Sequence, residues 1–345
     1  MSQMELLHKA LVLNPDPFVL LTVLITFVST IYFWYFHKSP RRSLEIGTLT
    51  KTKIVPLSVN FHFTRKCNYE CGFCFHTAKS SYLAPLEDVK RGLSKLADKG
   101  MKKLNLSGGE PFLYPDHVGE IVKFCKETLS LESVSIVSNG SKIKKGFFEK
   151  YGAFLDILAI SVDSFDEDTN VKIGRGKGNH LKQLGNISKW CREHNVKFKL
   201  NSVINKYNHE EDFSQNIQLL EPFRWKCFQV LQVDTENKGE GAKRDCSRFL
   251  ISDEDFDKFC RRHRHLDSFV PESNLMMKSS YIILDEKLQF LNKGDVYGES
   301  KSILEVDDIE ELLARTDYEP ETFEERGGIY DWTKSSCGED ANLKW

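Results

Sequence analysis

Three cysteines lie within eight consecutive residues of this chain. Cys67, Cys71 and Cys74 form a Cys-x3-Cys-x2-Cys spacing in the stretch CNYECGFC. A structural zinc site takes four protein ligands, and His76, the nearest further donor, follows Cys74 too closely for a relaxed tetrahedral site. Three thiolates without a fourth ligand are typical of a [4Fe–4S] cluster with one open iron. The spacing therefore favours an iron–sulfur cluster over zinc or free thiols.

Small and polar residues follow several apolar runs beyond the cysteines. The segment SGGEP (107–111) combines glycines, which let a ligand approach the backbone, with the carboxylate of Glu110, which attracts an ammonium group. Polar residues at the carboxyl ends of strands line the ligand sites of α/β folds, although each segment alone is also an ordinary turn. The candidates are Gly108, Gly109, Glu110, Ser138, Asn139, Ser161, Asp163 and Arg175.

Cations recur with a period of two in two segments that are typical of buried strands. Lys197, Lys199 and Asn201 would share one strand face, and Arg224 and Lys226 another. Unpaired cations inside a barrel cost on the order of several kcal/mol each, and a bound polyphosphate would offset that cost. Solvent-facing strand ends, or ion pairs with Asp or Glu, are the alternatives.

Short apolar runs alternate with helical patterns between residues 56 and 270. Repeated βα units with right-handed crossovers build a parallel sheet that curls. The pattern therefore predicts an α/β fold with a partial (βα)6 barrel over residues 46–270. Strands are expected at 58–64, 102–108, 133–140, 155–164, 197–205 and 224–233, and helices at 86–100, 116–128, 145–151, 179–194, 210–221 and 251–264.

The two ends of the chain differ from this pattern. Residues 18–36 form an uncharged apolar run, about 28 Å long as a helix, and three basic residues follow it by position 42. This predicts a membrane-associated helix, either spanning or interfacial, with the remainder in the cytosol; the features of a cleaved signal peptide fit poorly. Residues 1–45 are then an anchor and linker. Residues 271–345 form a C-terminal α+β extension that closes the substrate site, with a hairpin at 281–291 and a helix near 305–315.

Charge and cysteine content exclude some classes of protein. Lys and Arg total 48 and Asp and Glu total 50, so the formal net charge is −2. A near-neutral chain is not expected to bind duplex nucleic acid generally, although a local pocket for a small anion is compatible with it. Nine cysteines in 345 residues are too few for a disulfide scaffold and indicate a reducing compartment.

Several motifs in a fixed order carry a family resemblance. CNYECGFCFHTAKS, NLSGGEPFL, VSIVSNGS, NVKIGRGKG, VPESN and RGGIYDW resemble the viperin family of radical S-adenosylmethionine (SAM) enzymes across residues 56–345. The resemblance implies that the three cysteines hold a [4Fe–4S] cluster, with Phe73 beside it. The open iron would bind SAM, whose cleavage releases a 5′-deoxyadenosyl radical. The eight strand-end candidates above would then contact SAM.

The same resemblance implies a reaction and its residues. The family converts CTP to 3′-deoxy-3′,4′-didehydro-CTP, a chain-terminating antiviral nucleotide, after abstraction of the 4′ hydrogen. Tyr281 would donate a proton or hydrogen near the sugar, although it could equally be a packing aromatic. The implied substrate-binding residues are Asn60, His62, Lys199, Asn201, Arg224, Lys226 and Arg326.

Partners and location also follow from the resemblance. We expect attachment of the N-terminal helix to the cytosolic face of the endoplasmic reticulum and to lipid droplets, and a role in innate immunity. The terminal Trp345 would dock the cytosolic iron–sulfur assembly machinery, while the electron donor is not identified. A membrane-anchored scaffold protein, or a radical SAM enzyme acting on UTP, a protein or tRNA, are the alternative functions.

Overall fold

A computed structural model of the chain describes residues 54–234, 236–291 and 301–334. The expected membrane-associated helix at 18–36 and the terminal Trp345 lie outside these residues. Within the described residues, no helix is long and apolar enough to cross a membrane.

Eight parallel strands form one sheet whose spatial order follows the chain. The order is β7-β6-β5-β4-β3-β2-β1-β8, so each strand from β1 to β6 pairs with the next one along the chain. β8 pairs in parallel with β1 at the other edge. The strands are β1 (Ser58–Thr64), β2 (Lys103–Gly108), β3 (Ser133–Ser138), β4 (Ile157–Ser161), β5 (Lys197–Ile204), β6 (Arg224–Gln229), β7 (Phe269–Glu272) and β8 (Ile282–Leu284).

Helices in the connections supply the outer layer of the core. In α1, Val89, Leu93 and Leu96 are spaced three to four residues apart, and all are fully buried against the sheet's apolar face. The α-helices are α1 (Leu86–Asp98), α2 (Pro115–Glu127), α3 (Lys145–Tyr151), α4 (Glu167–Ile173), α5 (Leu184–Glu193), α6 (Ser214–Leu220), α7 (Asp253–His263), α8 (Asn274–Lys278), α9 (Glu310–Leu313) and α10 (Pro320–Glu325).

The sheet must curl because its two edges are joined by a short connection. Seven inter-strand spacings would make a flat sheet about 34 Å wide. β7 ends at Glu272 and β8 begins at Ile282, and the helical turn α8 occupies half of the intervening residues. The Tyr281 hydroxyl donates to Glu272 at 2.5 Å, which brings the two edges together around a central space.

The predicted α/β partial barrel is confirmed, and its strand count is larger than expected. All six predicted strands are present, with ends that differ by a few residues. β7 was not predicted, and the 281–291 segment does more than form a hairpin. Leu284 does pair antiparallel with Phe290, but the first limb of this turn is β8, a member of the barrel sheet. The predicted boundaries at residues 45 and 270 stay predictions.

Candidate active site

The cysteine loop, which we define as residues 65–80, leaves the carboxyl end of β1. Two backbone hydrogen bonds attach it to the end of α4 and the turn that follows. Glu70 N–H donates to Gly174 O at 3.1 Å, and Gly72 N–H donates to Ile173 O at 2.9 Å. Gly174 has φ of +88°, and a Cβ there would overlap the Glu70 carbonyl. A glycine is therefore required for this close approach.

The three thiols lie close enough together to influence one another's ionisation. Burial raises the pKa of Cys67 and Cys74, and it raises the pKa of Cys71 to about 12. Arg175 acts in the opposite direction on the pKa of all three thiols. A ligand that binds these sulfurs as thiolates must therefore displace their protons.

This donor set fits the expected cluster. Among the described residues, no three His, Cys, Asp or Glu side chains converge on a point that could hold a single metal ion. A [4Fe–4S] cube takes one thiolate on each of three irons, so its ligands need not converge on one point. Cys67, Cys71 and Cys74 would hold it.

An apolar cluster supports the loop from beneath. Phe73 meets the Phe249 ring edge-on, with centroids 5.8 Å apart, and both rings are buried. Asn237, which is fully buried, donates from Nδ2 to the Phe73 carbonyl at 2.8 Å. These contacts fix the middle of the loop, between Cys71 and Cys74.

The segment SGGEP packs directly on the start of the cysteine loop. Gly109 N–H donates to Thr64 O at 2.6 Å, and Glu110 N–H donates to Lys66 O at 2.8 Å. Gly108 has φ of +116°, and a Cβ at Gly109 would overlap the Lys66 carbonyl. Both glycines are thus needed to bring the end of β2 against the loop.

Glu110 organises the end of β3. Its carboxylate accepts from Ser138 Oγ at 2.8 Å, from Asn139 N–H at 2.7 Å and from Phe112 N–H at 2.9 Å. Asn139 Nδ2 in turn lies 3.9 Å from Cys67 Sγ. The predicted residues of β2 and β3 therefore meet beside the thiols, with Glu110 fixing Ser138 and Asn139.

Asp163 and Arg175 form a buried ion pair on the other side of the cysteines. Asp163 Oδ1 also accepts from Val203 N–H at 3.0 Å, which anchors the pair to β5. Ser161, at the end of β4, offers its carbonyl to His180 Nε2 at 2.8 Å. Burial, together with Arg175, lowers the pKa of His180 to about 3, so this ring is neutral.

The predicted cations face one shared space inside the barrel. Lys226 pairs with Glu272, a buried carboxylate that also binds Arg326 Nη1 at 3.2 Å. Although burial opposes ionisation, Lys226 and Arg326 lower the pKa of Glu272 to about 2. Burial, followed by the charges of neighbouring cations, lowers the pKa of Lys199 well below its ordinary value.

Tyr281 lies at the centre of this group. Its hydroxyl donates to Glu272 and accepts from Lys226 Nζ at 3.2 Å. The Arg326 guanidinium stacks 3.9 Å from the centroid of the Tyr281 ring, and its Nη2 donates to Ser280 O at 3.0 Å. Two predicted substrate residues and the predicted catalytic residue are therefore in direct contact.

Asn60 and His62 lie on β1, which pairs with β8 next to this group. Asn60 Oδ1 accepts from Asn105 Nδ2 at 2.7 Å, and Asn105 Oδ1 accepts from Ser135 Oγ at 2.8 Å. His62 stacks edge-on against His76 with centroids 4.6 Å apart, and its buried Nδ1 has no partner among the described residues. Burial lowers the pKa of His62 to about 3.

The segment 326–334 crosses the amino ends of the strands and forms the floor of the barrel. Lys103 Nζ donates to Tyr330 Oη at 2.7 Å, Lys197 Nζ pairs with Asp331 at 2.9 Å, and Arg224 Nη2 donates to Gly327 O at 3.2 Å. Arg224 is thus at the floor, level with its register partner Lys199 on β5, whereas Lys226 lies two residues further along β6.

The structure brings the predicted residues into two groups. The cysteines and the SAM candidates occupy the carboxyl end of β1 to β4, and the substrate candidates line the interior and floor. Sequence reasoning missed the buried carboxylate that joins the second group, Glu272, which is 46 residues from Lys226 and 54 from Arg326 in the chain and therefore carries no local signal. The other missed polar residues of the interior are Lys103, Asn105, Ser135 and Tyr330.

Comparison with known proteins identifies the family. The family model described as Radical SAM superfamily matches residues 61–220. "S-adenosylmethionine-dependent nucleotide dehydratase RSAD2" of Oncorhynchus mykiss is 50% identical over 304 residues, which cover 87% of this chain and 86% of that protein. The Danio rerio protein of the same name is 51% identical and covers 84% and 81%. A Flammeovirga pacifica protein named S-adenosylmethionine-dependent nucleotide dehydratase is 32% identical and covers 81% and 97%.

Solved structures agree on the fold. SuiB of Streptococcus suis bound to S-adenosylmethionine matches with a TM-score of 0.58 at 18% identity, over 80% of this chain and 68% of that one. The enzyme anSMEcpe with bound AdoMet matches with a TM-score of 0.55 at 13% identity, over 78% and 79%. From the cysteine loop at the end of β1 and from the identity to the RSAD2 proteins, this chain belongs to the viperin family of radical SAM proteins.

Proposed function

We propose that this chain is a radical SAM lyase that dehydrates CTP to 3′-deoxy-3′,4′-didehydro-CTP. The observation that carries the proposal is the cationic interior of the barrel, next to a loop that fits a SAM-binding cluster. The names of the relatives support a nucleotide as the substrate. When bound, the cluster and SAM supply a 5′-deoxyadenosyl radical that removes the 4′ hydrogen of the ribose. The chain's own residues must bind the triphosphate, orient the sugar and manage protons.

Charge pairing in the interior supports a polyanionic ligand. Glu272 offsets Lys226 and Arg326, and Asp331 offsets Lys197. Lys199 has no hydrogen-bond or ion-pair partner among the described residues, and desolvation, followed by its cationic neighbours, makes the protonated form unfavourable. The negative charge of a bound triphosphate would favour the protonated form of Lys199. It would also offset the repulsion among the neighbouring cations, so the group would act as a binding site.

Two buried polar atoms support a sugar or base beside that charge. Asn201 Oδ1 has no partner in the described part of the chain, and Asn201 is paired in register with Lys226. His62 Nδ1 faces the interior from β1 without a partner there. A hydroxyl or an amine of the nucleotide would satisfy these atoms, because buried polar groups are costly when they are not hydrogen-bonded.

Tyr281 is the group that we assign to proton transfer. Its hydroxyl donates to Glu272 at 2.5 Å and accepts from Lys226 Nζ at 3.2 Å, so a proton that the phenol gives to the sugar can be replaced from the Lys226 ammonium. Loss of the 3′ hydroxyl as water requires one proton, and formation of the alkene requires one further electron. Tyr281 would supply the proton toward the sugar and regain it through Lys226.

The product would lack a 3′ hydroxyl and would terminate viral nucleic-acid chains, which is the antiviral role in innate immunity that we propose. Residues 18–36 would attach the enzyme to the cytosolic face of the endoplasmic reticulum and to lipid droplets. Trp345 would recruit the cytosolic iron–sulfur assembly machinery. Both segments lie outside the described residues.

The test is a product analysis with each nucleotide. The chain is reconstituted anaerobically with iron and sulfide, reduced with dithionite, and mixed with SAM and CTP, UTP, ATP or GTP in separate reactions. We expect 5′-deoxyadenosine and a product one water lighter than its nucleotide from CTP. Cleavage of SAM with every nucleotide unchanged would contradict the proposal and favour a protein or tRNA substrate. A dehydrated product from UTP alone would overturn the assignment of CTP.

A further inference from the structure

A buried arginine precedes the cysteines by two residues. Arg65 follows β1, and its guanidinium contacts two carboxylates that are remote in the chain. Nε donates to both oxygens of Glu286 at 3.0 Å, while Nη1 and Nη2 donate to Glu236 at 3.1 and 3.2 Å. Glu236 belongs to the connection between β6 and α7, and Glu286 to the turn after β8. Three distant parts of the chain therefore meet at one guanidinium.

The carboxylate of Glu286 also binds the other end of the cysteine loop. Ser80 Oγ donates to Glu286 Oε1 at 2.6 Å, and Arg65 Nη1 also donates to Thr77 O at 3.4 Å. Lys79 Nζ lies 3.3 Å from Glu236. Arg65 stands before the first cysteine, and Thr77 to Ser80 stand after the last one. Glu286 thus joins both ends of the loop that carries all three thiols.

The burial of this network argues for a geometric role. The side chains of Arg65 and Glu286 are 7% and 3% exposed, so their charges are largely removed from water. A buried ion pair generally contributes little net stability compared with apolar residues of similar volume, but it fixes geometry strongly because a misplaced partner leaves a buried charge alone. The two cations Arg65 and Lys79 balance the two carboxylates.

We propose that Arg65, Glu236 and Glu286 are positioning residues that hold the cysteine loop in its cluster-binding conformation. The other attachments of the loop, at Gly174 and Asn237, fix its middle, and this network fixes its ends. Because Glu286 lies in the segment after β8, the C-terminal extension takes part in retaining the cofactor. The inference concerns the cluster alone and does not depend on which nucleotide, if any, is the substrate.

The first test measures how firmly the cluster is held. The full chain and the variants Glu286→Ala and Glu286→Gln are reconstituted anaerobically, and bound iron is determined. EDTA is then added, and the decay of the cluster's visible absorbance is followed. We expect the cluster to be lost roughly tenfold faster in Glu286→Ala, with a smaller effect in Glu286→Gln, because the amide still accepts from Ser80. Glu254→Gln is the matched control, since it removes a carboxylate from an exposed pair with Lys258 at 2.9 Å.

A second measurement separates positioning from general stability. In the cluster-free proteins, we expect faster amide hydrogen exchange in Glu286→Ala that is confined to residues 66–80, together with a lowered midpoint of thermal unfolding, because Arg65 loses a buried partner. Arg65→Lys, which keeps the charge but cannot bind two carboxylates with the same geometry, is the additional variant if Glu286→Ala does not fold. Cluster loss at the wild-type rate in these variants would overturn the proposal. Faster exchange throughout the chain in every variant would also overturn it.

Discussion

The ammonium of Lys226 lies 3.2 Å from the hydroxyl of Tyr281, although Lys226 is on β6 and Tyr281 directly precedes β8 at the opposite edge of the sheet. Glu272, the last residue of β7, binds both side chains. The curl of the sheet is therefore completed by polar contacts that face the interior. One network both closes the barrel and presents a phenol to the space where we propose that the nucleotide binds.

Replacement of Tyr281 by phenylalanine tests the role of that phenol. The ring would keep its contact with Arg326, and Glu272 would keep its two cationic partners, so we expect a folded protein with nearly unchanged nucleotide affinity. Formation of the dehydrated product should fall on the order of 100-fold, because a positioned proton donor contributes at least that factor. The measurement is single-turnover product formation by mass spectrometry.

The control for this change is Tyr318→Phe. Tyr318 is also buried and packs on Phe323 with centroids 6.0 Å apart, but it is outside the Glu272 network. Product formation in Tyr318→Phe should match that of the wild type. A Tyr281→Phe enzyme that forms product at the wild-type rate would remove Tyr281 from the chemistry and leave it as a packing aromatic.

Replacement of Lys199 by methionine should have opposite effects on stability and on binding. The change removes a partly buried cation from a group of like charges, so we expect the free energy of unfolding of the nucleotide-free protein to rise by about 1 kcal/mol. The KM for the nucleotide should rise roughly tenfold or more, because a charge-assisted contact to phosphate is lost. Urea unfolding and steady-state kinetics measure the two effects.

Lys189→Met on the exposed face of α5 is the matched control, and it should change neither quantity appreciably. Lys189 is 68% exposed and lies 3.8 Å from Glu193. If Lys199→Met destabilised the protein and left the KM unchanged, Lys199 would be a structural residue with a partner in the folded chain. The proposed triphosphate site would then need other cations.

Much of this arrangement follows from local pattern, and the remainder depends on contacts between distant residues. The apolar runs with intervening helices predict β1 to β6, and the period of two correctly groups Lys199 with Asn201 and Arg224 with Lys226. The sequence pattern does not predict β7, because this strand is only four residues long and contains Pro271, a residue type found in edge strands and loops.

The pairing of β8 with β1 and the role of Glu272 could not be derived from neighbouring residues. YIILDEKLQFL alternates in a way that suits a hairpin, and its turn does form. The parallel pairing of Ile282 to Leu284 with β1 joins residues more than 200 positions apart, and no local signal encodes it. Glu272 reads as a loop residue in the sequence, and its position becomes evident once Lys226 and Arg326 are known to need a counter-charge.

Replacement of Trp332 by alanine tests the floor of the barrel. Trp332 is 5% exposed, its ring meets Tyr330 edge-on at 5.8 Å, and its carbonyl accepts from Ser133 Oγ at 2.8 Å. Removal of the indole should lower the free energy of unfolding by about 3 kcal/mol, because a large cavity forms under the strands. Denaturant unfolding of the cluster-free protein measures the loss.

Ile329→Ala is the control within the same segment. Ile329 is 52% exposed, so the change should stay within about 0.5 kcal/mol. Equal losses of unfolding free energy in Trp332→Ala and Ile329→Ala would indicate that the segment 326–334 does not depend on Trp332 for its attachment to the strands.

We expect part of the loss of folding stability at low pH to come from His263, a fully buried residue of α7. Its Nε2 accepts from Phe213 N–H at 3.0 Å, and its Nδ1 lies 2.9 Å from Phe259 O, so the neutral ring is the one that fits. Burial lowers the pKa of His263, and the charges around it are Asp212, which opposes the shift, and Arg262 and His265, which favour it.

Because the folded-state pKa of His263 is below the unfolded value, the unfolded chain binds this proton more readily. The stabilisation is therefore fully present above about pH 6.5 and is lost as the pH falls through the unfolded pKa toward the folded one. His263→Gln should be less stable than the wild type at neutral pH but should lose less stability on acidification. The measurement is thermal unfolding of the two cluster-free proteins over this pH range. Because both proteins contain the other histidines, the titration of those histidines cancels when the His263→Gln profile is subtracted from that of the wild type. Parallel pH profiles for the two proteins would show that protonation of His263 does not limit stability in acid.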